Sequence, residues 1–412
     1  MLSRCIPALI AAIAIGDAGV AIGQSSYSLT KVVDSSGSLP GAPGLYGNFQ
    51  FGSPTLDSGS VAFSAFSTSP FGWTGVYKYE GGALQSVADE SMTMPGGASG
   101  FDGFSSVAAS SGNVAFVGSG VNFGSGIPRG VYLASGGSLS EVASRTTHVP
   151  GVAPADYFRQ FNQVVLDGSH VAFSAEFGNV SNSKTGIYSN SGGTLQVVAD
   201  TTMNVPGTSS QFSQLAINGE LWVNGDSVLF SGSGGGKFGI FSNEGGAVQM
   251  FLDQAAFAST AIPNGTGNFS HFTEFDPDGD DYAVVGLAGG GAQAGVYTSI
   301  GGNLSLVADK STLAPGLGTA FTSFGEIAMS DGSVVFTATG GVYTNVSGTL
   351  EKVLGFSDLL DGKTIQNITA PTIQGGDIAF GVSFTDGSQA IYRVSYNPFE
   401  DLNLIAGNPA DQ

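Results

Sequence analysis

The chain has 412 residues, 65 of them glycine, and only 12 Lys and Arg against 32 Asp and Glu, a net charge of −20. That balance argues against nucleic acid and anionic lipid as partners, because both need clustered cations, and the glycines lack the three-residue period of collagen. With 42 % hydrophobic residues and 29 Phe the chain is too apolar to stay disordered, which leaves a globular all-β protein.

At the N-terminus, Arg4, the apolar run 6–15 and the small residues up to Gly23 predict a signal peptide over residues 1–23. The run is shorter than the ~20 apolar residues of a membrane span. Its removal takes away Cys5, the one cysteine, and with it disulfides, thiolate catalysis and Cys-ligated zinc. The chain is therefore expected to be secreted or held at the cell surface, extracellular or periplasmic, with no membrane insertion.

From residue 27 onward one pattern recurs. A hydrophobic run ends in Asp, and a Pro-Gly loop and spaced aromatics follow. Next come a Gly-containing turn, a strand such as VAF, the triplet G-[VI]-Y, a Gly-Gly pair and L-x-x-V. The runs end at Asp34, Asp89, Ser144, Asp200, Asp253 and Asp309, spaced 53 to 56 residues apart, near the period of propeller blades. In the third unit, 161–166, 170–177, 185–190 and 194–199 read as four strands, a to d. Asp167-Gly168 and Gly192-Gly193 supply the tight turns, since both dipeptides tolerate positive φ. Strand b recurs as VAF (61–63, 114–116, 171–173), VLF (228–230), VVG (284–286), VVF (334–336) and IAF (378–380), which counts seven units. The seventh ends at strand c (391–395), whereas the N-terminus holds an unpaired strand d (27–33). The expected fold is all-β: a seven-bladed β-propeller over 27–396, of four-stranded antiparallel blades, with the N-terminal strand closing the last blade. Residues 397–412 form a polar C-terminal tail.

After Pro-Gly the spacing F-x-x-F recurs as Phe101/Phe104, Phe158/Phe161, Phe269/Phe272 and Phe321/Phe324, with Tyr46/Phe49 and Phe212/Leu215 as variants. These rings, and the strand-c tyrosines Tyr77, Tyr132, Tyr188, Tyr297, Tyr343 and Tyr392, are expected in the core.

The strings GSVAF (59–63), GNVAF (112–116) and GDIAF (376–380) resemble the G-x-x-A-F core of a tandem repeat in secreted bacterial proteins, a family named for its N-x-x-G-x-x-A-F motif. Leu56, Ala109 and Ile373 stand where that motif has Asn. The resemblance implies an exported repeat protein and no particular chemistry.

In such a propeller the d–a and b–c loops share one face, and the long d–a loops make it the better binding face. Asp34, Asp89, Asp200 and Asp309 each precede Pro-Gly at a fixed spacing. They either form an acidic rim or cap their own loops, and a position recurring in every unit is expected to serve the unit. Asp276, Asp278, Asp280 and Asp281 fall on the a–b turn of blade five and could take calcium, which prefers hard oxygens. The alternative there is a solvated acidic turn, and no cofactor is required. Phe71 and Trp73, in the b–c loop of blade one, could stack on a sugar or peptide, unless Trp73 folds over its own loop. Trp222 is expected in the core. His148, His170 and His271 lie in different units, and no nucleophile elbow or nucleotide-binding pattern occurs.

These observations favour an exported, non-catalytic, monomeric propeller that binds an extracellular glycan, matrix component or surface protein. The alternative is a propeller enzyme acting on carbohydrate or a lactone, with or without calcium. Carboxylates from different blades meeting in the channel would favour the enzyme. A channel lined by Phe, Val and Gly would favour the binder.

Overall fold

Strand b of blade three, His170–Asn179, shows why these segments become strands and not helices. Its alternating Val, Phe and Ala are buried on both faces, as a strand must be when its sheet is sandwiched between two others. The computed structural model describes residues 27–42, 49–67, 72–97, 99–120, 129–152 and 156–396. The expected signal peptide, the C-terminal tail, Tyr46 and Phe71 lie outside them.

Seven antiparallel sheets follow one another along the chain. Blades one to six span 49–89, 101–144, 158–200, 214–253, 271–309 and 324–355, each running a–b–c–d in chain order. Blade seven takes strands a to c from Lys363–Gln374, Asp377–Phe384 and Gln389–Tyr396. Its fourth strand is Tyr27–Asp34, which runs antiparallel to Gln389–Tyr396 from the Tyr27/Tyr396 pair to the Asp34/Ala390 pair. The seven-bladed, end-closed propeller expected from the sequence is the fold observed. Among the described residues no helix is long and apolar enough to cross a membrane.

The c–d turns differ from expectation in two blades. Gly81-Gly82, Gly136-Gly137 and Gly301-Gly302 form two-residue hairpins with both glycines at positive φ. In blades three and four the c–d connection is a 3-10 turn instead, at Ser191–Gly193 and Glu244–Gly246. The residue before each turn is Asn190 or Asn243. Its amide oxygen accepts the backbone N–H of Val171 or Val228 at 2.7 and 2.6 Å, which ties the turn back onto strand b.

The core lies between blades. One cluster joins Ala108 and Val131 of blade two to Phe158, Phe161 and Phe173 of blade three. The first Phe of each F-x-x-F pair meets the strand-c tyrosine edge to face. Ring centroids are 5.1 Å apart for Phe101/Tyr132, 4.7 Å for Phe158/Tyr188, 4.9 Å for Phe269/Tyr297 and 4.8 Å for Phe321/Tyr343, a favoured aromatic geometry. The triplet G-[VI]-Y follows from the same packing: a Cβ on Gly75 would lie 2.8 Å from the Tyr77 hydroxyl.

Every blade boundary carries a hydrogen bond made by a side chain, to backbone at six boundaries and to another side chain at the fourth. The N–H groups of Ser111 and Gly112 in blade two donate to Asp57 of blade one at 2.7 and 2.5 Å. Gly168 N–H donates to Ser110 (2.8 Å), and Gly225 N–H to Asp167 (2.6 Å). The Trp222 indole of blade four donates to Asp276 of blade five (2.8 Å), whose other oxygen accepts from Met329 N–H of blade six (2.7 Å). Ala370 N–H of blade seven donates to Glu326 (2.6 Å), and Ser58 N–H of blade one donates to Gln374 (2.6 Å), which completes the circuit.

Asp57 is 2 % exposed and holds two donors. Asp57→Ala strands both, at about 1–3 kcal/mol for a buried unsatisfied donor, and should lower unfolding free energy by about 2–3 kcal/mol in urea. A change below ~0.5 kcal/mol would mean that the pins do not hold the ring.

Candidate functional site

The recurring loop aspartates serve their own loops. Asp34 accepts from Ser36 N–H and hydroxyl (2.9 and 2.6 Å), Asp200 from Thr202 N–H (2.6 Å), and Asp309 from Ser311 N–H (2.8 Å). Burial alone would push the Asp34 and Asp309 carboxyls up, but these hydrogen bonds, and Lys31 at Asp34, hold both below the usual range.

Trp73 does not offer a stacking face. It is 5 % exposed, sits in the core of blade one, and its indole N–H donates to the Tyr77 hydroxyl at 2.8 Å. The expected ligand-stacking role therefore gives way to a packing role.

The acidic turn of blade five is also divided. Asp276 turns to Trp222 and Met329, and Asp281 accepts from Gly301 N–H at 2.7 Å. Among the described residues no three Asp, Glu, His or Cys side chains gather as a metal-holding group.

The inner strands bring together residues that the sequence keeps far apart. Strand a ends at Asp57, Ser110, Asp167, Asn224, Asp278, Ser330 and Gln374 in blades one to seven. Four residues earlier on each lie Ser53, Ser106, Gln163, Glu220, Glu274, Glu326 and Ala370. Three consecutive blades thus carry a glutamate at one level. Burial raises the Glu220 carboxyl, with the Ser231 hydroxyl opposing and Glu274 adding to it. Burial also raises Glu274, and the Glu326 charge adds to it. Nearer the a–b turns a central cavity of about 290 Å³ is lined by Thr55, Ala109, Val165, Val223, Pro277, Thr372 and their neighbours, with no ionisable side chain among its lining. The channel is apolar at one end and has an acidic arc on one side above it.

On the long-loop face, blade three departs from the other blades. Its d–a loop closes with a bridge between His148 and Tyr157. At the same bridge the other loops carry Thr93/Gly100, Asn204/Gln211, Ala261/Asn268 and Leu313/Ala320. In blade three the pair is two stacked rings, 4.3 Å between centroids, and Tyr157 is 42 % exposed. Two residues after the bridge stands Arg159, where blades two, four, five and six have Asp102, Ser213, Ser270 and Thr322. Strands b and c of this blade also reach further, to Asn179 and back from Asn182. Between loop and hairpin lies a cleft of about 350 Å³ lined by Asp156, Tyr157, Phe158, Arg159, Gly178, Asn179, Asn182 and Lys184. The sequence shows His148 as an isolated histidine. Tyr157, Arg159 and Lys184 stand out only when the blades are aligned by register.

A seven-bladed propeller with a closing N-terminal strand is thus the class of protein that the fold defines. The chain belongs to a family of unknown function, DUF7453, whose model matches residues 11–349. No curated protein matches it by sequence. Among solved structures it is similar to the β-propeller domain of the Trilobed protease from Pyrococcus furiosus, described as having an open velcro topology. Identity is 10 % over 84 % of this chain and 95 % of that one, with a TM-score of 0.50. It is also similar to Pyrococcus horikoshii acylaminoacyl peptidase (11 %, 87 % of this chain and 54 % of that one, TM-score 0.46) and to an oligogalacturonate lyase in complex with manganese (12 %, 82 % and 86 %, TM-score 0.45). At these identities the likeness is one of fold.

The channel makes a pH prediction. Burial pushes the Asp276 carboxyl up to about 7, with Met329 and Trp222 pulling it down. A carboxyl raised on folding gives stability that is complete below its unfolded value, near 3.9, and is lost as pH rises through the folded value. Glu220 and Glu274 act in the same sense. Asp34 and Asp309, lowered on folding, withdraw their stabilisation only as pH falls below about 4. Melting temperature should therefore decline from about pH 4 to pH 7, and Asp276→Asn should flatten that decline. Equal slopes in the two proteins would remove Asp276 from the account.

Proposed function

We propose that the chain is an exported propeller that holds an extracellular glycan on its long-loop face, in the cleft of blade three. The observation that carries this reading is the departure of blade three from its siblings. A half-exposed aromatic pair, Tyr157 on His148, stands beside a small polar cleft where the other described bridges have no aromatic ring. An aromatic face packs against the C–H face of a sugar ring, and amides such as Asn179 and Asn182 can meet its hydroxyls. Export rests on Arg4, the apolar run 6–15 and the resemblance to exported repeat proteins. No cofactor is needed for this reading.

The acidic arc favours a second reading, a glycan- or lactone-cleaving enzyme. Glu274, whose carboxyl burial raises and the Glu326 charge raises further, is shifted in the direction that a general acid requires.

One assay separates the two. The mature chain is incubated with a panel of neutral and acidic polysaccharides, with and without calcium, and depletion of protein and release of reducing sugar are followed together. Depletion without release is expected, with Tyr157→Ala reducing retention at least about tenfold, the order of effect of losing one buried aromatic contact. Release of sugar that is lost in Glu274→Gln would select the enzymatic reading.

A further inference from the structure

We infer that the blade-three cleft selects saccharides bearing a carboxylate, uronate-type sugars, over neutral ones. This rests on the glycan reading above and goes beyond it by assigning the charge of the ligand. Cations are scarce in this chain, and most of its lysines are spent on carboxylates. Lys31 meets Asp34 and Asp361, Lys78 meets Glu80, Lys352 meets Asp358 and Lys363 meets Asp386, all at 3.0 to 3.2 Å.

Blade four shows what a lysine on strand c does by default. Lys237 lies two residues before Gly239, and Gly239 pairs with Asp253 at the end of strand d. The ammonium meets that Asp253 at 2.6 Å. Lys184 has the same place in blade three, two residues before Gly186, which pairs with Asp200. Yet its ammonium lies over the Phe177 ring, 5.8 Å from the centroid, and lines the cleft. Asp200 is taken by the N–H and hydroxyl of Thr202 at 2.6 and 2.5 Å.

Arg159 reaches the same cleft from the other side. Its guanidinium donates to Asn179 O at 3.4 Å and to the Ser183 hydroxyl at 3.2 Å. These bonds orient the fork across the hairpin and leave N–H groups over. Among the described residues neither Arg159 nor Lys184 forms an ion pair. Two cations that form no ion pair among the described residues therefore share with Asp156 a cleft of about 350 Å³ beside an exposed aromatic face.

A guanidinium fork matches a carboxylate in two parallel hydrogen bonds. The ammonium would add charge from the opposite wall, and Tyr157 would carry the sugar ring. Asp156 at the rim suits hydroxyls, and it disfavours a doubly charged phosphate more than a single carboxylate. The −20 charge of the whole chain does not forbid this, because salt screens it beyond about 8 Å at physiological ionic strength. The ligand is therefore expected to be a short acidic saccharide or the exposed end of a longer one.

The test is titration calorimetry of the mature chain with di- and trigalacturonate, with alginate trimers, and with the methyl ester of each. Esterification keeps the sugar and hides the charge. The acids are expected to bind at least about tenfold more tightly than their esters, the scale of one charge-assisted contact. Arg159→Gln should remove that preference while folding is checked by circular dichroism. Lys184→Gln, which removes the ammonium over the Phe177 ring, should remove part of it without touching the hairpin anchor. Equal binding of acid and ester would overturn the charge assignment and leave the glycan reading standing. Binding of neither, together with no retention on any neutral polysaccharide, would overturn both.

Discussion

Blade seven would stop at its third strand unless the two ends of the chain shared a sheet, and the rest of this structure depends on that closure. The first strand, Tyr27–Asp34, supplies the fourth strand of the last blade, so 27–34 and 389–396 close the circle through an antiparallel ladder. The ladder covers an edge that would otherwise recruit another chain. It also fixes the distance between all other blades. The hydrogen bonds at the seven boundaries, from Asp57 round to Gln374, can all be satisfied at once only when the ring is complete. A chain with 65 glycines has much conformational entropy to lose, and closure lets every blade bury both faces against it.

Much of this was legible in the residues. Alternating V-x-F strands, glycine pairs at the hairpins and the unpaired first strand led to seven blades and to their closure. F-x-x-F and G-[VI]-Y led to the edge-to-face rings, because a large apolar side chain at a fixed phase has one place to go. The boundary pins were not legible. Asp57, Ser110 and Asp167 look like turn residues along the chain, and their partners lie about a blade away. Asp276 belongs to a dense acidic run, which suggested calcium, yet its oxygens serve the blades on either side. Trp73 sits by sequence in a b–c loop, the place for a ligand contact, yet its indole lies inside the blade.

The sites were harder still. Glu220, Glu274 and Glu326 become neighbours only when strand a is counted back from its end, and bulges in these strands hide that count. In blade three the signal is a departure from equivalents and not a motif. Tyr157, Arg159 and Lys184 are unremarkable alone. They become informative beside Gly100, Ser213 and the paired Lys237. Where one position serves all blades, it builds the blade. Where one blade stacks an exposed Tyr on a His beside two cations that form no ion pair among the described residues, packing does not account for the choice.

The most direct measurement is hydrogen exchange of the full chain with and without saturating trigalacturonate. The account predicts slower exchange confined to the d–a loop and b–c hairpin of blade three, around residues 147–159 and 178–185, with the inner strands unchanged. Protection centred on the inner strands near Glu220, Glu274 and Glu326, with blade three unaffected, would contradict it and place recognition in the channel.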